Sequence, residues 1–154
     1  MGRGDVIGNT ERVLTDQPDN AAALNNLAFV IAQSPARSSE ALPYVKRAVA
    51  LQPQQPDILD TYATVLHGLG RLNEAPESLT RALALRPADV DIRLNLVEPI
   101  LAQGRLDDAW RMLQRIERTL SRRPQPDPQH LRRAEALRRQ LNDAQAAAVV
   151  SDPQ

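Results

Sequence analysis

Cysteine is absent from the 154 residues. That excludes disulfide staples, a thiolate nucleophile and any cysteine-based zinc site, and leaves the redox compartment unmarked. Aromatic residues are scarce: two tyrosines, one phenylalanine and one tryptophan. With few aromatic or β-branched residues and abundant alanine, leucine, arginine and glutamine, the chain favours helices over strands. No apolar run is long enough to cross a bilayer, since the greasiest stretch, AAALNNLAFVIA at 21–32, is short and interrupted by Asn25 and Asn26. The opening MGRGDVIGNTERVL lacks the apolar core of a signal peptide. The compartment is therefore unmarked: cytoplasmic by default, periplasmic or envelope-associated if the chain is cut from a longer protein. Neither sign of charge dominates, with 19 Lys/Arg against 19 Asp/Glu. Residues 1–110 hold 10 basic and 14 acidic side chains, a net −4, and residues 111–154 hold 9 and 5, a net +4.

What is present is a period. Ala41, Ala75 and Ala109 are spaced by 34 residues, as are Val45, Leu79 and Leu113, and Ala48, Ala82 and Ile116. Leu27, Tyr62 and Leu96 follow at 35 and 34, which places one inserted residue in the QSPARSSE segment. Within each period two runs have apolar residues at helical spacing, separated by turns such as GLGRLNEA and AQGRLDDA, with Gly70 and Gly104 placed to end the first helix. The expected helices cover 20–33, 39–52, 56–69, 73–86, 90–103 and 107–121, with Asp89, Asp107 and Asn73 as N-caps. A further helix is expected at 5–17. After the proline-rich RRPQPDP, Asp127 caps a helix over 127–147 begun by Pro128, with Leu131, Ala134, Leu137, Leu141 and Ala144 as its apolar stripe. Residues 148–154 are expected to be disordered. Three prolines fall in helices. Pro76 sits in a first turn, Pro43 one place further in after a Ser39 cap, and Pro99 deep enough to kink or interrupt its helix.

These columns resemble the tetratricopeptide repeat (TPR). Residues 56–89 carry its pattern in Leu59, Tyr62, Ala63, Leu66, Ala75, Leu79, Ala82 and Pro87, and residues 21–55 in Leu24, Leu27, Ala28, Ile31, Ala41, Val45, Ala48 and Pro53. The third unit, 90–121, departs from it, with Arg93 at a large position and Val97 and Ile116 at small ones. The resemblance implies an all-α fold, an α-solenoid of about three helix-turn-helix units in a single domain over 1–154. An N-terminal half-repeat would open it and a C-terminal capping helix would close it. A looser similarity links NNLAFVIAQSP, ILDTYA and LGRLNEA to repeats of bacterial envelope proteins associated with exopolysaccharide export.

The family's architecture implies a concave groove lined by first helices that receives a peptide or a partner helix. Carried onto this sequence, the groove positions are Ala22, Asn25, Asn26, Phe29, Ala32 and Gln33, then Asp57, Asp60, Thr61, Thr64, His67 and Gly68, then Asp91, Leu94, Asn95, Glu98, Leu101 and Ala102. The basic clamp with which some members hold a carboxylate-ended peptide has no counterpart here. The acids Asp57, Asp60, Asp91 and Glu98 instead favour a neutral or basic partner. Asn26, Thr61 and Asn95 share one register position and could bond a peptide backbone without reading its sequence.

No arrangement points to catalysis, a metal or a cofactor. His67 and His130 lie far apart without metal-ligand spacing, and the Asp57–Asp60 pair is better explained by a helix start than by acid–base work. The expected function is a non-enzymatic scaffold for a protein or peptide. The first alternative is homodimerisation through the half-repeat, where Val6, Ile7 and Val13 would be exposed. The second is contact with nucleic acid or an anionic surface through arginines 111, 115, 118, 122, 123, 132, 133, 138 and 139. Aromatic residues for base stacking are missing there apart from Trp110, which disfavours nucleic acid.

Overall fold

The computed structural model describes residues 3–150, with side chains from Asp5 onward. Among the described residues there is no strand. The order is α1 (Arg3–Asp16), α2 (Ala21–Ala32), a 3-10 turn (Pro35–Arg37), α3 (Ser38–Leu51), α4 (Pro56–Gly68), α5 (Ala75–Leu85), α6 (Val90–Ala102), α7 (Leu106–Ser121) and α8 (Pro128–Val150). The helices group into two compact units, Met1–Pro87 and Ala88–Gln154. α8 continues three residues past its expected end, and residues 151–154 lie outside those described.

Both glycines assigned as stops act as such. Gly70 and Gly104 have φ of +69° and +70°, a region that costs residues with a Cβ about 1–2 kcal/mol. Arg71 N–H reaches the Leu66 carbonyl at 2.9 Å while Gly70 N–H reaches that of His67 at 2.9 Å. Arg105 and Gly104 repeat the pattern on Ile100 and Leu101 at 3.2 and 2.9 Å. Each pair of bonds satisfies carbonyls that the helix end would leave open. The N-caps follow the sequence less closely. Asp89 does cap α6, accepting from Ile92 N–H at 3.2 Å, and Asp127 accepts from Gln129 N–H at 2.7 Å at the start of α8. Asn73 lies in the turn before α5, Asp107 is already the second residue of α7, and α3 starts at Ser38 rather than after a Ser39 cap. Pro43 is thus the sixth residue of α3, deeper than expected.

A second periodic device closes these turns. Arg37 pairs with Glu40, Arg71 with Glu74, and Arg105 with Asp108, each from three residues earlier, at 2.7, 2.6 and 2.7 Å. All three pairs recur at a spacing of 34.

In the first unit the alanine columns sit where helices meet. Ala28, Ala41, Ala48 and Ala82 are fully buried, and Val45, Leu27, Leu59 and Leu66 fill the space between. Ile7 and Leu14 turn one side of α1 onto this core, so Ile7 is not part of an exposed face as expected. Gly68 closes α4 against the start of α3: a Cβ there would overlap Ser38 Oγ and lie 2.9 Å from Ser38 Cβ.

In the second unit α6 pairs with α7, and α8 packs on both. Val97 and Ile116, bulky where the family pattern is small, are both fully buried. The contact face of α8 is Ala134, Leu137 and Leu141; Leu131, expected in that stripe, is 39% exposed. α6 is not interrupted at Pro99, which is its tenth residue and buried, with the helix running on to Ala102.

Candidate peptide-binding faces

In the first unit α2 and α4 lie in contact. The outward stripe of α2 is Ala22, Asn26, Phe29 and Gln33, all exposed and spaced by four, three and four residues, as one helical face requires. Phe29 is 48% exposed although it is the one phenylalanine in the chain. Ala32, assigned to the groove, is 6% exposed and belongs to the core. Asn25 is half-buried beside the stripe, and its Oδ1 is shielded from solvent without a hydrogen-bond partner. A buried acceptor left unsatisfied costs about 1–3 kcal/mol.

The corresponding stripe of α4 is Asp57, Asp60, Thr64 and His67. Arg86, just past the end of α5, grips the Asp57 carboxylate with two nitrogens at 2.5 and 2.8 Å. The Asp57 charge, counted as part of an acidic groove, is therefore largely met within the fold. Thr64 donates its hydroxyl to the Asp60 carbonyl at 3.1 Å. Thr61 is not on the open face at all. It is 4% exposed and donates to the Asp57 carbonyl at 2.9 Å, a back-bond common for threonine within helices. The middle rung of the expected amide and hydroxyl ladder is thus turned inward.

In the second unit the groove positions of α6 meet α8. His130 Nε2 lies 3.0 Å from Asp91 Oδ1, and Arg133 donates to Asn95 Oδ1 at 2.6 Å. Arg133 also stands 3.9 Å from Asp91. Glu98 is half-buried, and Leu94, assigned to the groove, is fully buried. Arg138 clamps Glu117 of α7 with two bonds of 3.1 and 2.7 Å. The helix that closes the unit therefore holds two of the six groove positions of α6, Asp91 and Asn95. Their sequence signal was present in His130 and Arg133, whose spacing of three puts both on one side of α8.

Among the described residues no three His, Cys, Asp or Glu side chains are grouped to hold a metal ion, and no helix is long and apolar enough to cross a membrane.

Two-helix units in a 34-residue register, the turns after α4 and α6 each opened by a left-handed glycine, agree with comparison to known proteins. A tetratricopeptide-repeat family profile matches residues 67–141. That part of the chain carries tetratricopeptide repeats. A TPR repeat-containing protein of Pseudomonas aeruginosa is 36% identical over 63 residues, which are 41% of this chain and 11% of that one. The chain thus spans about a tenth of that curated relative's length. Among solved structures, a thermophilic TPR protein of Thermus thermophilus matches with a TM-score of 0.68 at 22% identity over 87% of this chain and 73% of its own. MamA from Desulfovibrio magneticus RS-1, from residue 41 to its end, matches with 0.69 at 17% over 79% and 70%. At such identities the likeness shows the fold, an all-α arrangement of the α-solenoid class.

Proposed function

We propose that this TPR chain is a non-enzymatic module that takes a neutral or basic peptide or helix on the α2–α4 face of its first unit. The observation that carries the proposal is the outward stripe of α2. A half-exposed phenylalanine offers an apolar anchor point, and the exposed Asn26 amide one turn earlier on the same stripe can bond a peptide backbone. Anchors of this kind, an aromatic surrounded by polar backbone-binding groups, carry most of the energy in peptide recognition. No Lys or Arg stands at the groove positions of α2 or α4 to hold an acidic ligand. α6 takes second place because α8 already bonds its Asp91 and Asn95.

Calorimetry against a peptide series tests this. Neutral and lysine-substituted peptides should bind more tightly than a version ending in acidic residues. Phe29→Ala and Asn26→Ala should each weaken binding by about tenfold, the value of roughly 1.4 kcal/mol. Tighter binding of the acidic version overturns the proposal.

A second reading, self-association through α1, is favoured by one observation. Val6 and Val13 are 36% and 41% exposed, and Val13 borders a shallow cleft with Asn9, Thr10, Asn20, Ala22, Ala23 and Asn26. Sedimentation of the wild type beside Val13→Glu decides it: a dimer lost in the variant supports the reading, and a monomer in both removes it.

A further inference from the structure

The nine arginines between 111 and 139 do not form one basic region. Arg133 and Arg138 are spent on Asn95 and Glu117. Arg111, Arg115, Arg118 and Arg122 are different. Their spacings of four, three and four residues place them on one line along α7, and all four are exposed. Among the described residues the guanidinium groups of Arg111, Arg115 and Arg122 have no hydrogen-bond or ion-pair partner, and Arg118 touches only Gln114, on its own helix, at 3.0 Å. At 1.5 Å per residue the line is about 16 Å long.

The repeat itself does not call for it. One and two periods earlier, the positions equivalent to Arg111 are Glu77 and Pro43, those equivalent to Arg118 are Ala84 and Ala50, and those equivalent to Arg122 are Ala88 and Gln54. Only the Arg115 column is basic throughout, and there the earlier members have structural work. Arg47 donates to Asp19 at 2.6 Å, and Arg81 to the Pro53 carbonyl at 2.6 Å. In the third unit this column is released from that bond, and three arginines are added beside it.

We infer that the outer face of α7 is a docking rail for an acidic helix of a partner protein. Charge complementarity and pitch select that occupant. A helix with Glu or Asp at i, i+4, i+7 and i+11 presents carboxylates on a straight line with the same rise, so each can take a two-pronged bond from one guanidinium. A bilayer is a poorer fit because the apolar residues of α7, Ala109, Leu113, Ile116 and Leu120, are all buried and cannot insert. A single-stranded nucleic acid would need aromatic platforms interleaved with the cations, and α7 has only Trp110, ahead of the first of them. Asp107, exposed four residues before Arg111, is the one opposing charge at the end of the line.

Trp110, the only tryptophan and 41% exposed, reports directly on binding at this helix. The probe is a synthetic helical peptide of about 15 residues with four glutamates on that line, beside a scrambled peptide of equal composition, a duplex oligonucleotide and phosphatidylserine vesicles. The expected result is a Trp110 emission shift with the patterned peptide at least about tenfold tighter than with the scrambled one, weakening as salt screens the pairs. Arg115→Gln with Arg118→Gln should lose about tenfold or more while the circular dichroism melt is unchanged, and Asp107→Asn should gain affinity. Equal binding of the scrambled peptide, tighter binding of the oligonucleotide or vesicles, or undiminished binding by the arginine variant overturns the inference. A failure of Phe29→Ala to affect the α2–α4 face leaves it untouched, because the two surfaces are on different units.

Discussion

Gly68→Ala is the perturbation whose outcome the structure sets most sharply. On an exposed helical site the change would stabilise by up to about 1 kcal/mol, since glycine is that much poorer a helix former. Here the new methyl would overlap Ser38 Oγ and fall 2.9 Å from Ser38 Cβ, with the Pro35 Cα at 3.5 Å. Turning the Ser38 side chain relieves the first contact only. The Cβ–Cβ approach stays below any normal separation, and Ser38 is 1% exposed, so it cannot move into solvent. The start of α3 must therefore back away from α4, an overpacking cost of about 1–3 kcal/mol. Set against the propensity gain of about 1 kcal/mol, the net loss is about 0–2 kcal/mol. In a unit of this size that lowers the unfolding midpoint by about 4–8 °C for each kcal/mol.

The diagnostic measurement is a double-mutant cycle by thermal or urea unfolding. Ser38→Gly removes both atoms that the new methyl meets, so Gly68→Ala in that background should recover its propensity gain. The two changes should then be non-additive by about 1–3 kcal/mol. An additive cycle, or a Gly68→Ala variant more stable than the parent, would refute the reasoning from close approach.

Three further outcomes follow from separate features. Gly70→Ala and Gly104→Ala force an L side chain to positive φ, so each should cost about 1–2 kcal/mol by unfolding, and their sum should be additive because they lie in different units. Pro99→Ala returns an N–H to the middle of α6, recovering about 3 kcal/mol of helix penalty against about 2 kcal/mol of lost ring burial. A gain of about 1 kcal/mol and a slowly exchanging amide at residue 99 are expected, and rapid exchange there would count against a regular helix. The hydrogen bonds from Arg71, aided by its charge and that of Lys46, hold the Glu74 carboxyl below its ordinary value despite some desolvation. A depressed value means the contribution is complete above the ordinary glutamate range and is lost as pH falls through the lowered one. Carboxyl titration by NMR should show this, and Arg71→Gln should return Glu74 upward.

The sequence carried the fold because periodicity and helix punctuation are local signals. A 34-residue repeat of alanines and leucines, with Gly70 and Gly104 at the stops, leaves little freedom in where helices pair. The N-caps were harder to place. Asn73 and Asp107 have good capping chemistry, yet the salt-bridged turns Arg71–Glu74 and Arg105–Asp108 set where α5 and α7 begin. That signal was readable in the 34-residue spacing of Arg37, Arg71 and Arg105. The binding face was only partly legible for a different reason. Register tells which way a residue points, but not what another element brings to it. Thr61 turned inward to bond its own helix, Arg86 reached back to Asp57, and His130 and Arg133 came from 38 or 39 residues away to occupy Asp91 and Asn95. Each of these removes a polar group from the face by satisfying it inside the fold, so the residues left for a partner are those that no neighbour could reach. By that criterion Asn26 and Phe29 on α2, together with the arginines along α7, are better candidates than the acids that first defined the groove.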